Sequence, residues 1–517
     1  MLNRSQDAVF LLVKSLEKAE KRNFKLFVGR NTADVSLKIV QLFDALDKMN
    51  DYDEAVLLRK TPSIKKEQLP NQKAHLYKQI LASLRVMQVD KRIEIQLHEQ
   101  MEYAQILYEK GLYPQSLKLL DRAKEMAKQY HQHTFLLQVL VFEKKIESLH
   151  ITRSMQNRSE LLAAEVVELH QNLNFVGALS NLSLQLYSWF IHVGHARNEK
   201  DVLAIHAFFA AKLPPDAHKN TSFYGRLYLY QAQCWYAFIV QDFLLYYRYA
   251  QKWTDLFENE LPMRRVETSY FIKGVHNLLL AHFMTRNYQK YDQVLRVFED
   301  FAADSDAQVS SNVEIQTFVY LHLARINGHF MRGTFSEGLG LVADINLKLN
   351  EYQLKIDRHR VLGFYYKIAC LYFGSGDPST AIDYLNRIIN WRVDLRSDLQ
   401  CYARLLHLIA HYDLGNSGLI EHLIKSVFRF MAKMENLSVV EEEIFRFLRK
   451  SSQFNSQKRI RAAFCTLRDK LKTFEANRFE SRSFIYLDII AWLDSKIENI
   501  PIQAVIRRRY LKQGVGH

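Results

Sequence analysis

The chain has 517 residues, 48% apolar and 24% charged, enough to bury a large core and too apolar for wholesale disorder. Only 17 Gly and 8 Pro favour long helices with few turns, and no run approaches the roughly 18 uninterrupted apolar residues of a membrane span. The net charge is +14, and from Phe445 to the end about 16 Lys/Arg stand against about 6 Asp/Glu, so the surplus is concentrated in the last seventh.

Period-2 alternation is nearly absent while 3.6-residue apolar faces run throughout, which predicts an all-α protein. Helices are expected over Gln6–Leu16, Lys18–Val28 and Asp34–Met49, followed by a turn at Asn50–Ala55. Thr61–Asn71, with Pro62, Pro70 and Lys65-Lys66, reads as a linker. A helix over Gln72–Val89 follows, with Leu76, Ile80, Leu81, Leu84 and Met87 as its apolar stripe. This N-terminal helical region is taken as residues 1–95, a repeat array as 96–440 and a basic helical cap as 441–517.

The array opens with a helix over Gln100–Tyr108, a turn at Glu109–Tyr113 and a second helix over Pro114–Tyr130, where Ser116, Leu120 and Ala123 are the packing positions. Similar breaks recur near Arg153, at Gly194, Gln241-Asp242-Phe243, Arg286-Asn287-Tyr288, Gly333-Thr334-Phe335, Gly376-Asp377 and Gly415-Asn416, with a weaker one near Gln453. Their spacing, about 40–48 residues over most of the range, is the signature of a solenoid whose hairpins bury their faces against neighbours.

Val361–Trp391 is the clearest hairpin. An apolar face of Tyr365, Ile368, Ala369, Tyr372 and Phe373 stops at Gly374–Pro378, and a second face of Ala381, Tyr384, Leu385 and Ile388 follows. Its G-D-x-x-x-A after an A-x-x-Y helix resembles a tetratricopeptide repeat. The period is closer to HEAT or armadillo repeats, but the turn chemistry favours the tetratricopeptide type, because extra helical turns lengthen a repeat without changing its packing rule. The expected architecture is therefore a right-handed α-solenoid of tetratricopeptide-like hairpins with long repeats. Near the C-terminus, Ile460–Phe474 reads as a basic amphipathic helix, Arg482–Ile497 as an apolar capping helix and Ile500–Tyr510 as the last helix, with Lys512–His517 fraying.

Two terminal runs carry a wider resemblance. Val13-Lys14-Ser15-Leu16-Glu17-Lys18-Ala19-Glu20-Lys21-Arg22-Asn23-Phe24-Lys25 resembles the opening of large, uncharacterised helical-repeat proteins common in Bacteroidota, and Tyr486–Ile497 is similar to their C-terminal helix. The resemblance implies a helical-repeat fold and a cytoplasmic setting, and carries no activity or functional residues. The N-terminus also lacks the apolar core and small-residue cleavage site of a signal peptide. Cys234, Cys370, Cys401 and Cys465 are isolated and read as structural thiols in a reducing compartment.

No motif for catalysis or cofactor binding stands out: H-E-x-x-H, the Walker A loop, G-x-G-x-x-G and G-x-S-x-G are all missing, so no enzyme, cofactor or metal is expected. The close histidine pairs His131/His133 and His192/His195 read as surface or half-buried residues, and Glu441-Glu442-Glu443 as a solvated helix face. More informative is an aromatic stripe on the first helices of the repeats, predicted to line a concave groove: Tyr228, Trp235, Phe238, Phe283, Met284, Phe330, Met331, Tyr366 and Phe373. Such a surface suits a peptide, an amphipathic helix or a partner protein, and it could equally pack upon itself. The alternative is nucleic-acid or polyanion binding through Arg446, Arg449, Lys450, Lys458, Arg459, Arg461 and Arg507-Arg508-Arg509.

Overall fold

The computed structural model describes residues 7–29, 34–88, 92–150, 157–219, 222–304, 310–352, 355–391, 397–434, 437–451, 456–475, 477–480 and 488–514. Among them the protein is all-helical, with 26 α-helices and no strand. The breaks expected near Arg153 and Gln453, and residues 482–487 of the expected capping helix, lie outside the described residues.

The chain divides into two compact units, residues 1–166 and 167–517. The first holds α1 (Ala8–Ser15), α2 (Lys18–Gly29), α3 (Asp34–Asp47), α4 (Glu54–Lys60), α5 (Leu69–Gln88), α6 (Ile93–Glu109), α7 (Tyr113–Gln129) and α8 (His133–His150). The division falls within α9 (Arg158–Val193). The second unit continues with α10 (Glu199–Lys212), α11 (Phe223–Ile239), α12 (Phe243–Asn259), α13 (Pro262–Val266), α14 (Thr268–Met284), α15 (Tyr288–Ala303), α16 (Ser311–Arg332), α17 (Phe335–Gly338) and α18 (Val342–Glu351). It ends with α19 (Arg358–Ser375), α20 (Pro378–Ile389), α21 (Ser397–Asp413), α22 (Ser417–Lys433), α23 (Val439–Ser451), α24 (Gln457–Lys472), α25 (Ile489–Glu498) and α26 (Ile502–Gly514).

In the first unit, Phe10, Val13, Phe24, Phe43 and Leu46 form a core to which α5 adds Leu76 and Ile80. The stretch expected as a linker belongs to this core: Thr61, Ile64 and Leu69 are buried, because two apolar side chains flanking the turn draw it down. On α5, Leu81 faces solvent and Ser83 is buried instead, its hydroxyl donating to the Ile80 carbonyl. Ser116, Leu120 and Ala123 are fully buried as expected, and the Ser116 hydroxyl donates to Ala104 O at 2.7 Å, which lets α6 and α7 approach closely.

Five turns of the second unit share one construction. Gln241, Arg286, Gly333, Gly376 and Gly415 take positive φ (61°, 52°, 68°, 98° and 74°), each ending a helix. The next residue's N–H then reaches back five positions: Asp242 to Ala237 O, Asn287 to His282 O, Thr334 to His329 O, Asp377 to Tyr372 O and Asn416 to His411 O, at 2.9–3.1 Å. That left-handed stop satisfies carbonyls the helix end leaves open. At three turns the same residue starts the next helix with its side chain: Asp242 accepts from Leu245 N, Asn287 from Lys290 N and Asp377 from Thr380 N.

Neighbouring hairpins are tied by side chains: Tyr224 donates to Glu267, Arg360 to Tyr320 and Arg332 to Asp292, pairs separated by 43, 40 and 40 residues, while Tyr352 donates to Glu314 within one hairpin. One core runs from Ile315 to Ile506, so α23–α26 pack with α16–α22. The last helix also meets α16 and α19, and the end expected to fray is helical through Gly514. There a Cβ on Gly333 would stand 2.4 Å from Arg507 N, while Ser336 donates to Gln503 Oε1 from its backbone at 3.2 Å and its hydroxyl at 3.0 Å.

Backbone chemistry at these turns sets a graded expectation in urea denaturation. Gly376→Ala, where a Cβ meets nothing within 4 Å, costs about 1 kcal/mol from the left-handed φ alone, and Gly333→Ala costs more because α26 must shift. Arg286→Gly, at an exposed left-handed position, gains up to about 1 kcal/mol.

Candidate functional site

On α14, Lys273, His276 and Phe283 follow each other at three and seven residues, so they share one stripe of the helix. The stripe on α16 is Tyr320, Asn327 and Phe330, and on α19 it is Arg360 and Lys367. Trp235 of α11 and Tyr187 of α9 extend the same surface. Apart from buried Asn327, these side chains are half-buried, each keeping a part open to solvent.

The contacts link them across helices. Lys273 Nζ lies 5.5 Å from the Tyr187 ring centroid and 5.8 Å from that of Trp235, and the two rings are 5.0 Å apart. The His276 ring is 4.3 Å from Tyr320, whose other neighbour is the Arg360 guanidinium at 5.3 Å, donating to Tyr320 Oη at 3.1 Å. Lys367 Nζ donates to Asn327 Oδ1 and stands 5.4 Å from the Phe330 centroid and 5.9 Å from that of Phe283. Ring faces attract these cations but do not neutralise them.

Burial and neighbouring cations set the protonation of this patch. Burial pulls the His276 imidazole down to about 3, with Arg360, Lys367 and Lys273 adding like charge, so it is neutral at ordinary pH. Burial also holds the Lys273 ammonium below its ordinary value, and the charge acting on it is Arg360, of the same sign. Among the described residues no carboxylate lies within ion-pair distance of Lys273 Nζ. Arg360 Nε does meet a carboxylate, Asp357 of the turn preceding its helix, at 3.0 Å.

Of the aromatic stripe predicted from sequence, Trp235, Phe283 and Phe330 belong to this patch. Phe238 packs beside it on Phe190 and Trp235, at 5.2 and 6.3 Å, and Tyr228 is half-buried with its hydroxyl 3.3 Å from that of Tyr270. Tyr366, Phe373 and Met331 are corrected to core residues, each under 8% exposed. The reason is angular: on α19 the exposed stripe is Arg360/Lys367, and Tyr366/Phe373 lie one residue away from Lys367 and its next turns, about 100° around the helix. The sequence reading does not single out the stripe's cations, Lys273, Arg360 and Lys367; positively charged residues about two repeats apart on first helices are the available signal.

Elsewhere the sequence candidates separate. Arg446 pairs with Glu443, Arg508 with Glu498 at 2.7 Å, and Arg509 with Asp488 and Asp494 at 3.1 and 2.7 Å; Arg507 reaches the Arg332 carbonyl and Arg449 lies over Phe428. Lys450, Lys458, Arg459 and Arg461 are exposed. The triplet Glu441–Glu443 is not a solvated face: Glu441 is buried and accepts from Ser438 N at 2.8 Å and from its hydroxyl, and Glu443 is buried against Arg446 and Lys470. A capping box, which the intervening sequence makes hard to distinguish from an acidic run, explains the difference.

His192 and His195 turn to different carbonyls, Ser188 O and Phe238 O, and the His131 and His133 rings stand 6.3 Å apart. Among the described residues no three His, Cys, Asp or Glu converge as a metal site. Cys234, Cys370 and Cys401 are buried and form no disulfide, and burial pushes the Cys370 thiol up to about 12.

Three histidines are held neutral by burial, His276 at about 3 and His282 and His407 at about 4. Since these values lie below the unfolded 6.5, the unfolded chain takes up protons first, and stability falls as pH drops below about 6.5. His276→Gln is expected to lose less stability than the native chain between pH 7 and 5 in urea titrations; an unchanged slope would place the titration elsewhere. No protein-family profile, curated protein or solved structure matches the chain.

Proposed function

We propose that the chain is a non-enzymatic interaction scaffold, a right-handed α-solenoid of tetratricopeptide-like hairpins that holds a peptide, a helix or a partner protein against the first helices of its second unit. The observation that carries this is the half-buried stripe of Tyr187, Trp235, Phe283 and Phe330, drawn from α9, α11, α14 and α16. Aromatic side chains that are fixed by neighbours yet keep a face open are the anchors binding surfaces use. The solenoid reading is supported by ties between neighbouring hairpins 40–43 residues apart and by packing that runs chiefly between neighbouring helices.

Kinship with the helical-repeat proteins of Bacteroidota and a cytoplasmic location belong to the same proposal. No helix among the described residues is long and apolar enough to cross a membrane. The second reading, polyanion binding near the C-terminus, draws on exposed Lys450, Lys458, Arg459 and Arg461; it is weakened because carboxylates already occupy Arg446, Arg508 and Arg509. Retention of labelled single-stranded DNA at about 50 mM salt, lost in Lys458→Glu/Arg459→Glu/Arg461→Glu, would favour it.

A random-peptide display selection on the full chain tests the first reading. Selected peptides are expected to bind Phe283→Ala/Phe330→Ala, compared at an equal folded fraction by circular dichroism, at least about tenfold more weakly. Peptides indifferent to the double variant would overturn the groove.

A further inference from the structure

Several lysines are drawn partly out of water by this fold, and Lys273 is treated differently from the others. Lys73 meets the Asp7 carboxylate at 2.8 Å and donates to the Tyr52 hydroxyl, and Lys124 meets Glu165 and, at 3.9 Å, Glu143. Lys273 Nζ meets neither a carboxylate nor a hydrogen-bond acceptor among the described residues. It rests against the Tyr187 and Trp235 rings, 5.5 and 5.8 Å from their centroids. One turn on, His276 is neutral and has no hydrogen-bond partner among the described residues, so it offers no opposite charge. The charge that does act on Lys273 is that of Arg360, of the same sign.

Ring faces return only part of the hydration that an ammonium loses here, and a like charge adds to the cost of protonation. An unprotonated amine escapes both costs and keeps its lone pair. Burial beside another cation is one way in which a lysine becomes a nucleophile, which its ordinary ammonium form is not. The amine is also within reach, since Lys273, Tyr187 and Trp235 are all half-buried and each keeps part of its surface open.

We propose that Lys273 is a modification site, a nucleophilic amine that condenses with an aromatic aldehyde lying on the Trp235 and Tyr187 rings. The nitrogen lone pair attacks the carbonyl carbon, a C–N bond forms, and the carbonyl oxygen takes up a proton lost from nitrogen. The second N–H proton then leaves with that hydroxyl as water, and the product is an imine. Nothing is oxidised or reduced, so the step needs no co-reactant. A flat apolar ring suits the approach, because Trp235 and Tyr187 offer faces to stack on, and a neutral imine costs less to shield from water than an ammonium. No partner in the groove is required, so the adduct forms on the isolated chain.

The test treats the full chain at neutral pH with limiting benzaldehyde and sodium cyanoborohydride, whose hydride reduces the imine to a stable benzyl-lysine, and maps the adducts by mass spectrometry. Lys273 is expected to take up label at least about tenfold faster than the solvent-exposed lysines, whose amines stay protonated. Its labelling rate should also level off at a lower pH than theirs. Tyr187→Glu sets a carboxylate against Nζ and favours the ammonium. Compared at an equal folded fraction by circular dichroism, it should slow Lys273 labelling about tenfold, towards the exposed lysines. With glycolaldehyde, which has no ring to stack, the preference for Lys273 should fall severalfold.

Labelling of Lys273 no faster than that of exposed lysines, with the same pH profile, would overturn the reactive amine. Fast labelling that Tyr187→Glu leaves unchanged would overturn desolvation against the rings as its cause. An equal preference with glycolaldehyde would overturn the aromatic substrate and leave the amine reactive.

Discussion

The second unit depends on a turn in which one residue closes a helix and the next opens another. The left-handed residue reverses the chain, the following N–H satisfies the open carbonyl five positions back, and at Asp242, Asn287 and Asp377 the same residue's side chain satisfies a donor of the helix that follows. With so few atoms involved, the angle between paired helices is constrained locally. Packing then has little choice about which faces meet: Trp253 and Phe257 of α12 and Phe271 and Val275 of α14 are buried in one cluster, and Phe364, Ile368 and Leu385 in another. Gln241 and Arg286 occupy left-handed positions without being glycine, so the turn is kept even where the residue type opposes it.

From that spacing the surface patch follows. Each first helix exposes a stripe of about one residue in three or four, and the recurrence of hairpins sets those stripes side by side. Tyr320 is the link: it stacks near His276 of one neighbour and hydrogen-bonds Arg360 of the other, so three helices contribute to one polar contact inside an aromatic surface. A fold under selection for stability alone gains nothing from placing Lys273 on this stripe, since a methionine or leucine there would cost no desolvation. Uncompensated charge beside ordered rings is the kind of local cost that functional surfaces carry.

What could be read from the sequence was what is decided within about five residues. The stops at Gly333, Gly376 and Gly415, and those at Gln241-Asp242 and Arg286-Asn287, depend on local turn chemistry, and each has the positive φ of a helix stop. Buried Ser116, Leu120 and Ala123 were equally plain, because small residues at helical spacing have few other uses. Orientation was harder. A stripe assigned one residue off rotates by about 100°, and this put Tyr366 and Phe373 in the groove when they are core and Lys367 is at the surface. Likewise Glu441 looked solvated because a capping box and an acidic run share a composition, and Thr61–Asn71 looked like a linker because its prolines are visible while the burial of Ile64 and Leu69 depends on helices distant in sequence.

The distribution of charge completes the argument. Composition placed the positive surplus at the C-terminal end, yet the arginines there are largely used in structure: Arg509 joins Asp488 to Asp494, Arg508 holds Glu498, and Arg507 reaches the carbonyl of Arg332 beside the close approach at Gly333. Paired charge of this kind fastens α26 to its neighbours and contributes little field beyond the surface. On α14, Lys273 sits between the Tyr187 and Trp235 rings, partly shielded from water, where a charge acts at greater strength. The number of basic residues in a segment is therefore a poor guide to where an anion would bind; their compensation and their depth decide it.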